Sequence, residues 1–100
     1  SWTRELACQL GPDGHRLNAI SSGPIKTIAA GGIPGFDNIL NHVEENAPLR
    51  RNVSQDDVAG CTLWLASELS SGVTGQCIHV DAGYSSTMVP SSIMGDENGK

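Results

Sequence analysis

Two short apolar segments with the pattern of buried β-strands constrain the fold of this chain more than any other feature. They cover residues 16–21 and 76–80, and turn residues bound both of them. Two helical patterns lie between these segments, and a third precedes the first segment. Strands that alternate with helices indicate an α/β protein with a parallel sheet and a right-handed crossover connection. The sequence therefore predicts an α/β fold.

The number of predicted strands is smaller than such a fold requires. Parallel strands are normally flanked by further strands and covered on both faces, and this sequence supplies only two. The first helical pattern, with Trp2, Leu6 and Leu10 on one face, also starts without a capping residue. We therefore expect the chain to be part of a longer protein and to begin within a helix. Residues 1–88 are expected to form one structural unit, and residues 89–100 a disordered tail.

Apolar spacing and end signals predict the other two helices. Phe36 and the apolar residues at i+3, i+4 and i+7 predict an amphipathic helix that ends near residues 46–48. Ser54, followed three residues later by Asp57, resembles a capping box and predicts a helix through about residue 67. The buried face of this helix is expected to contain Val58, Cys61, Thr62, Leu65 and Leu69.

The charge and the cysteines exclude several classes of function. The formal net charge is −5, and six lysines and arginines are too few to neutralise the phosphates in a nucleic-acid groove. Cys8, Cys61 and Cys77 are odd in number and widely spaced, which argues against a disulfide framework or a zinc site. No apolar run approaches the length of a membrane span. We expect a soluble, cytoplasmic protein that binds no metal, no nucleic acid and no membrane.

Three motifs carry a resemblance to a known family. Residues 18–27 read Asn-Ala-Ile-Ser-Ser-Gly-Pro-Ile-Lys-Thr. Residues 48–51 lead into a helix start at 55–58, and residues 71–76 precede a strand that closes with residues 80–83. The last two motifs are typical of the whole short-chain dehydrogenase/reductase superfamily. The first motif narrows the resemblance to one family within it. With these motifs the chain resembles the C-terminal part of bacterial enoyl-acyl-carrier-protein reductases over nearly its whole length.

The resemblance implies both a fold and a reaction. The fold would be the C-terminal part of a Rossmann-like doubly wound parallel sheet, with its last two strands and their flanking helices. The reaction would be hydride transfer from NADH to the β-carbon of an enoyl-acyl-carrier-protein in type II fatty-acid biosynthesis, followed by protonation of the enolate. Enzymes of this family are commonly homotetramers, so the resemblance also implies a homotetramer for the full-length protein.

The resemblance assigns the segment after the first strand to the cofactor and the acyl substrate. Gly23 would let the main chain approach a flat ring, Ile25 would hold the nicotinamide carboxamide, and Thr27 would bond the pyrophosphate. The implied cofactor-binding residues are Gly23, Ile25, Lys26, Thr27, Ile28 and Ala29. The implied substrate residues are Ala30, Ile33, Phe36 and Ile39. Gly31 and Gly32 make this segment the candidate for a mobile cover.

No catalytic residue is assigned in this sequence. In the family, a tyrosine hydroxyl stabilises the oxyanion, and six residues separate this tyrosine from a lysine that binds the ribose. The only tyrosine here is Tyr84, and neither Lys26 nor Lys100 has a tyrosine at that spacing. No glycine-rich segment follows a strand and opens a helix as a dinucleotide-binding loop does. We therefore expect the chain to be inactive by itself.

Several alternatives stay open at the level of the sequence. The chain also fits another short-chain reductase acting on a carbonyl or an alcohol, or a non-catalytic module or partial product. Phe36 and Ile39 have the spacing of core residues as well as of a pocket. Arg50 and Arg51 are candidates for contact with an acidic carrier protein, although paired arginines usually face solvent or bind carboxylates. Asp81 is expected to cap the turn that follows the second strand.

Overall fold

A computed structural model describes residues 2–88 of the chain, and the predicted tail at residues 89–100 lies outside the described residues. The helices and strands are, in order, α1 (Trp2–Leu10), β1 (Ala19–Ser22), α2 (Phe36–Asn46), α3 (Gln55–Ala66) and β2 (Cys77–Val80). Short 3-10 turns occupy Gly11–Asp13, Ala30–Gly32, Glu68–Ser70 and Tyr84–Met88. The predictions of all three α-helices are confirmed. Within residues 2–88, no helix has the length and apolar character needed to cross a membrane.

β1 and β2 form a two-stranded parallel sheet, which confirms the predicted α/β fold. Ala19 pairs with Cys77, and Ser22 pairs with Val80. One further bond extends the ladder, because the N–H of Gly23 donates to the carbonyl oxygen of Val80 at 3.0 Å. α2 and α3 lie between the two strands in the chain and form the crossover that parallel pairing requires. The sheet thus brings the C-terminal ends of both strands to one edge.

The first strand begins later than the sequence predicts. The predicted start at residue 16 is wrong because the ladder begins at Ala19. The Leu17 carbonyl accepts the N–H of Gly75 at 2.8 Å, but the other bonds between residues 17–18 and the segment before β2 run through the side chains of Thr74 and Asn18. The Leu17 N–H donates to Oγ1 of Thr74 at 3.0 Å, and the Asn18 amide donates to the carbonyl oxygen of Val73 at 3.0 Å. Oδ1 of Asn18 accepts the N–H of Gln76 at 3.0 Å, so Gln76 also lies outside β2.

Arg16 joins distant parts of the chain through its guanidinium group. Nη1 donates to the carbonyl oxygens of Ser70 at 3.0 Å and Val73 at 3.1 Å, and Nη2 donates to the carbonyl oxygen of Leu65 at 2.9 Å. Leu65 lies in the last turn of α3, where the carbonyl groups lack helical partners and the helix dipole favours a cation. This turn contains no basic residue. Arg16 therefore supplies a charged cap from outside the helix, beside the Ser70 hydroxyl, which donates to the same Leu65 carbonyl at 3.0 Å.

The buried face of α3 contains fewer residues than the sequence predicts. Three of the five predicted residues are half-buried: Val58, Cys61 and Leu65. Thr62 is exposed, and its hydroxyl donates to the carbonyl oxygen of Val58 at 2.9 Å. Leu69 is 84% exposed, because the α-helix ends at Ala66 and a 3-10 turn follows it. The prediction is wrong for Thr62 and Leu69, since α3 packs here on a sheet of only two strands.

The core cluster, which leaves out the separately buried Ala7 and Leu40, lies at the edge where the strands end. It consists of Val43, Ala47, Val53 and Ala82. Ile25, Val80 and Tyr84 are partly buried and pack against it. The core therefore holds together the end of α2, the loop that follows β1 and the turn that follows β2.

α3 begins with the predicted capping box, which is confirmed. The N–H of Asp57 donates to Oγ of Ser54 at 3.2 Å, and the N–H of Ser54 donates to Oδ2 of Asp57 at 2.8 Å. The same carboxylate accepts a bond from Nη1 of Arg51 at 2.8 Å. The side-chain bond from Arg51 and the backbone bond from Ser54 lower the pKa of Asp57 from 3.8 to about 2.

Asp57 is expected to make the stability of the chain depend on pH in the acid range. Its pKa is lower in the folded chain than in the unfolded chain, so its stabilisation is complete above about pH 4 and is lost as the pH falls through about 2. We expect Asp57→Asn to melt below the unchanged chain at neutral pH, with the difference shrinking toward zero near pH 2. Melts followed by circular dichroism measure this difference, and a difference independent of pH would contradict the expectation.

Candidate functional site

Residues 23–29 leave β1 at the edge of the sheet where both strands end, and we call them the cofactor loop after their predicted role. Ligands of open parallel sheets bind at this edge. A Cβ on Gly23 would lie 3.3 Å from Cβ of Asp81 and 3.7 Å from Cγ2 of Val53. Because the chain packs so closely here, internal packing is sufficient to explain why residue 23 is a glycine. Its contact with a nicotinamide ring stays a prediction.

A groove of about 810 Å³ lies beside the cofactor loop, and we call it the larger groove. Residues of the cofactor loop, of α2 and of the start of α3 form its walls. They are Ile25, Lys26, Asp37, Leu40, Asn41, Glu44, Asn52, Val53, Ser54, Gln55 and Asp56. Three of these residues carry carboxylates and only Lys26 carries a cation, so the formal charge of the lining is negative.

A second groove, of about 700 Å³, is the smaller groove. It is lined by Lys26, Thr27, Ile28, Ala29 and Gln55. Four consecutive residues among the six predicted cofactor-binding residues therefore line this groove, opposite Gln55 from the start of α3. Its lining contains no carboxylate, and Lys26 is the only cationic side chain in the lining of either groove.

Thr27 has a local structural role that the sequence did not reveal. Its Oγ1 accepts a bond from the N–H of Ala30 at 3.1 Å, and its carbonyl oxygen accepts the N–H of Gly31 at 2.8 Å. These bonds start the 3-10 turn Ala30–Gly32. The hydroxyl proton donates to no acceptor among residues 2–88, so Thr27 can cap this turn and still donate to a ligand.

The four predicted substrate residues lie at the 3-10 turn Ala30–Gly32 and at the start of α2. None of them lines either groove. Ile33 and Ile39 are 56% and 53% exposed, whereas Leu40 on the same helix is buried. Ile39 is therefore outside the core, and its contact with an acyl chain stays a prediction. Phe36 is half-buried.

Sequence reasoning missed several polar residues of the grooves. Gln55 lines both grooves because it opens α3 directly after the capping residue Ser54. The capping box was the signal that could have placed it there. The Asn52 amide donates to the carbonyl oxygen of Leu40 at 3.0 Å, and its Oδ1 is buried without a partner among the described residues. No local pattern marks Asn52 or Asn41 in the sequence.

Residues 1–85 match a family model described as Enoyl-(Acyl carrier protein) reductase. The chain belongs to this family. It is 58% identical over 81 residues to enoyl-[acyl-carrier-protein] reductase [NADH] 1 of Rhizobium meliloti, a match that covers 81% of the chain and 30% of the relative. It is 57% identical over 79 residues to enoyl-[acyl-carrier-protein] reductase [NADPH] FabI of Staphylococcus aureus, which covers 79% of the chain and 31% of the relative.

A solved structure of an enoyl-acyl-carrier-protein reductase has the same fold over the matched region. It is the enzyme from Anaplasma phagocytophilum in complex with NAD, and it matches with a TM-score of 0.81 and 45% identity. The match covers 88% of this chain and 34% of the other. This chain of the enoyl-acyl-carrier-protein reductase family therefore spans about a third of the length of its relatives.

The turn after β2 in this reductase-family chain has the predicted aspartate cap, which is confirmed. Oδ1 of Asp81 accepts the N–H of Gly83 at 3.0 Å, and Oδ2 accepts the N–H of Ser85 at 2.9 Å. Partial burial raises the pKa of Asp81, but the hydrogen bonds from Ser85 and Gly83 lower it further, and the result lies below the ordinary value. Asp81 is therefore an ionised turn cap.

The two arginines predicted as candidates for a carrier contact both have acceptors within the chain. Nη1 of Arg50 donates to the carbonyl oxygen of Ala47 at 2.8 Å, and Arg51 binds Asp57. The single tyrosine, Tyr84, packs against the core, and its ring lies edge-to-face with that of His42 at 5.8 Å between centroids. These contacts give all three side chains structural roles in this reductase-family chain.

Proposed function

We propose that this chain is the C-terminal part of an NADH-dependent enoyl-acyl-carrier-protein reductase. The parent protein would reduce the 2,3 double bond of an enoyl-acyl-carrier-protein in type II fatty-acid biosynthesis. The Rhizobium meliloti and Staphylococcus aureus relatives are named as reductases of this kind, with NADH and NADPH respectively. The observation that carries the proposal is the smaller groove, which gathers four residues of the cofactor loop at the end of the sheet.

The smaller groove suits the anionic part of a dinucleotide. Its lining contains the ammonium group of Lys26 and no carboxylate. The hydroxyl of Thr27 accepts a bond from Ala30 and keeps its proton available for a phosphate oxygen. The larger groove suits phosphate poorly, because three carboxylates line it. These features support a pyrophosphate beside Lys26 and Thr27.

The bound dinucleotide would supply the hydride that reduces the enoyl double bond. The residues of this chain would bind and orient the reactants. The backbone of Ile25 would hold the carboxamide, and Lys26 and Thr27 would hold the phosphates. The exposed apolar side chains of Ile33 and Ile39 would cover the acyl chain and exclude water from it. The catalytic tyrosine and lysine implied by the family resemblance would come from the rest of the parent protein.

The partners and the location of the parent protein belong to the same proposal. Its substrate would be carried by an acyl carrier protein, and the parent would form a homotetramer. A cytoplasmic location is supported by three free cysteines, which suit a reducing compartment.

A chimera tests the proposed function. In this chimera the 81 matched residues of the Rhizobium meliloti relative are replaced by those of this chain. We expect it to oxidise NADH with an enoyl thioester at a rate within about tenfold of the relative. We expect no turnover with a ketone and NADH, or with an alcohol and NAD⁺. A folded chimera that reduces a ketone, or that reduces neither substrate, would refute the proposal.

Thr27→Val in the chimera is expected to weaken cofactor binding. The variant loses the hydroxyl that would donate to a phosphate oxygen, so the KM for NADH should rise about tenfold with a small change in kcat. Thr27→Ser keeps the hydroxyl and is expected to stay within about twofold of the unchanged chimera. Steady-state kinetics with varied NADH measure the KM of both variants. A KM for NADH that is equal in Thr27→Val and in the unchanged chimera would contradict the assignment of Thr27 to a phosphate.

A further inference from the structure

The C-terminal end of α2 is held by a residue that lies outside the cofactor loop and outside both grooves. α2 carries Phe36 and Ile39 near its start, and Ala47 follows its last residue. Ala47 is completely buried. Its carbonyl oxygen accepts two bonds from Arg50, one from the backbone N–H at 2.8 Å and one from Nη1 at 2.8 Å. Arg50 is therefore the main partner of the carbonyl group at which α2 ends.

The guanidinium of Arg50 supplies a charge that α2 itself lacks. The last turn of α2 contains no basic residue, and the C-terminal end of a helix carries a partial negative charge. The arginine reaches this end with its backbone in the left-handed region, at a φ of 54°. This region is unfavourable for a residue with a Cβ, so the contacts of the surrounding loop must maintain it.

The same loop is bound to the turn that follows β2. The N–H of Leu49 donates to the carbonyl oxygen of Ala82 at 3.1 Å, and Ala82 is itself left-handed at a φ of 57°. A Cβ on Gly83 would lie only 2.9 Å from Cγ of Pro48, so the two segments are in close contact. The end of α2 is thus connected through Arg50 and Leu49 to the end of the sheet.

The start of α2 has fewer restraints in the part of the chain that the structure describes. Its N-cap is Gly35, which has no side chain that could cap the helix. Gly31 and Gly32 have no atom within 4 Å of the place where a Cβ would stand. An eleven-residue helix is about 16 Å long, so a tilt of about 5° at its C-terminal end moves its start by about 1.4 Å. Val43, the Leu40 carbonyl and the ring of His42 hold the middle and the end of α2, and the Ala47 carbonyl is the contact at its last turn. A shift at Ala47 would therefore be passed along the helix to Phe36 and Ile39.

We propose that Arg50 is a positioning residue for the acyl site. It sets the orientation of α2 through the carbonyl oxygen of Ala47, and so places Phe36 and Ile39 relative to the cofactor loop. Arg50 lines neither groove, so its effect on the acyl chain is indirect. The assignment of Phe36 and Ile39 to the acyl chain rests on the proposed function, whereas the control of α2 by Arg50 does not.

Variants of Arg50 in the chimera test this role. Arg50→Ala is expected to raise the KM for the enoyl thioester at least about fivefold, while kcat and the KM for NADH change less than about twofold. Arg50→Lys keeps a cation near the carbonyl of Ala47 and is expected to recover most of the loss. Arg50→Gly removes the backbone strain together with the guanidinium, so it should behave like Arg50→Ala if the side chain is what matters.

Arg4→Ala is the matched control, because it removes the same charge from the exposed face of α1. It is expected to leave both KM values unchanged. An unchanged thioester KM in Arg50→Ala and Arg50→Gly would overturn the proposal. A parallel rise of both KM values with a lower melting temperature would overturn it too, since that is the result of a merely structural role.

Amide hydrogen exchange of the 100-residue chain separates this proposal from the proposed function. In Arg50→Ala, the amides of residues 40–46 are expected to exchange at least about tenfold faster, whereas those of α3 stay unchanged. Unchanged exchange in α2 would reject the role of Arg50 whatever the chimera does. Faster exchange in α2 combined with an inactive chimera would retain the control of α2 and reject the proposed reaction.

Discussion

By itself, the 100-residue chain is expected to show no oxidation of NADH with an enoyl thioester. Reduction develops negative charge on the thioester oxygen, and positioned groups that stabilise it or transfer protons usually contribute several kcal/mol each. Tyr84 packs against the core and the ring of His42, and no lysine stands at the family's spacing from it, so we assign the oxyanion donor to another part of the parent protein. Without these groups we expect a rate at least about 10⁴-fold below that of the chimera.

The absorbance of NADH at fixed enzyme concentration measures this difference directly. The chain and the chimera are compared at equal concentration, and a circular-dichroism melt establishes whether the chain alone unfolds cooperatively. A cooperative melt without turnover is the expected result. Measurable turnover by the chain alone would contradict the assignment of the catalytic groups to another part of the parent protein.

Arg16→Ala is expected to cause the largest loss of stability among single substitutions at exposed positions. The variant removes the charged donor of the carbonyl groups of Leu65, Ser70 and Val73. Each carbonyl keeps one neutral donor, from Ser70 Oγ, the Val73 N–H and the Asn18 amide respectively. Hydrogen bonds to charged groups contribute about 1.5–3 kcal/mol, and their shared donor makes the losses less than additive. Because Arg16 is exposed and each carbonyl keeps a neutral donor, we expect the free energy of unfolding to fall by about 1.5 kcal/mol, measured by urea denaturation followed by circular dichroism.

Two further variants test whether the loss of stability depends on the geometry of the Arg16 guanidinium group. Arg16→Lys keeps the charge, but a single ammonium group cannot reproduce the two separate nitrogens that reach Leu65 and Val73, so we expect an intermediate loss. Arg4→Ala removes an arginine with no hydrogen bond among residues 2–88 and is expected to change stability by less than about 0.5 kcal/mol. An Arg16→Ala chain as stable as Arg4→Ala would show that these bonds contribute nothing.

The helices could be predicted closely because their signals are local. The spacing of Phe36, Leu40 and Val43 places one face of α2 on the core, and the capping box of Ser54 and Asp57 defines the start of α3. The start of β1 could not be predicted, because no local pattern shows that Asn18 bonds to a segment 55 residues later. A strand and an extended segment bonded through side chains have the same apolar pattern.

One part of the candidate site could likewise be predicted from the sequence, and another part could not. The motif at residues 18–27 predicted the cofactor loop, whose role stays a prediction, and the consecutive residues Lys26, Thr27, Ile28 and Ala29 line one groove. The carboxylates of the larger groove were not predicted as part of a site, since they come from α2 and α3. The cap that Thr27 provides to Ala30 was missed as well, because a threonine followed by small residues does not by itself indicate a capped turn.

Local spacing and motifs were sufficient for the helix limits, the parallel pairing and the reductase family. The helix limits and the family motifs depend on residues close together in the chain. The parallel pairing follows from the alternation of strands and helices, because the connection between the two strands must cross over the sheet. The tertiary structure alone revealed the roles of Arg16 and Arg50, the two grooves and the exposure of Ile39. Each depends on which distant backbone group lies within reach of a side chain, and Arg16 bonds to carbonyl groups 49 to 57 residues away.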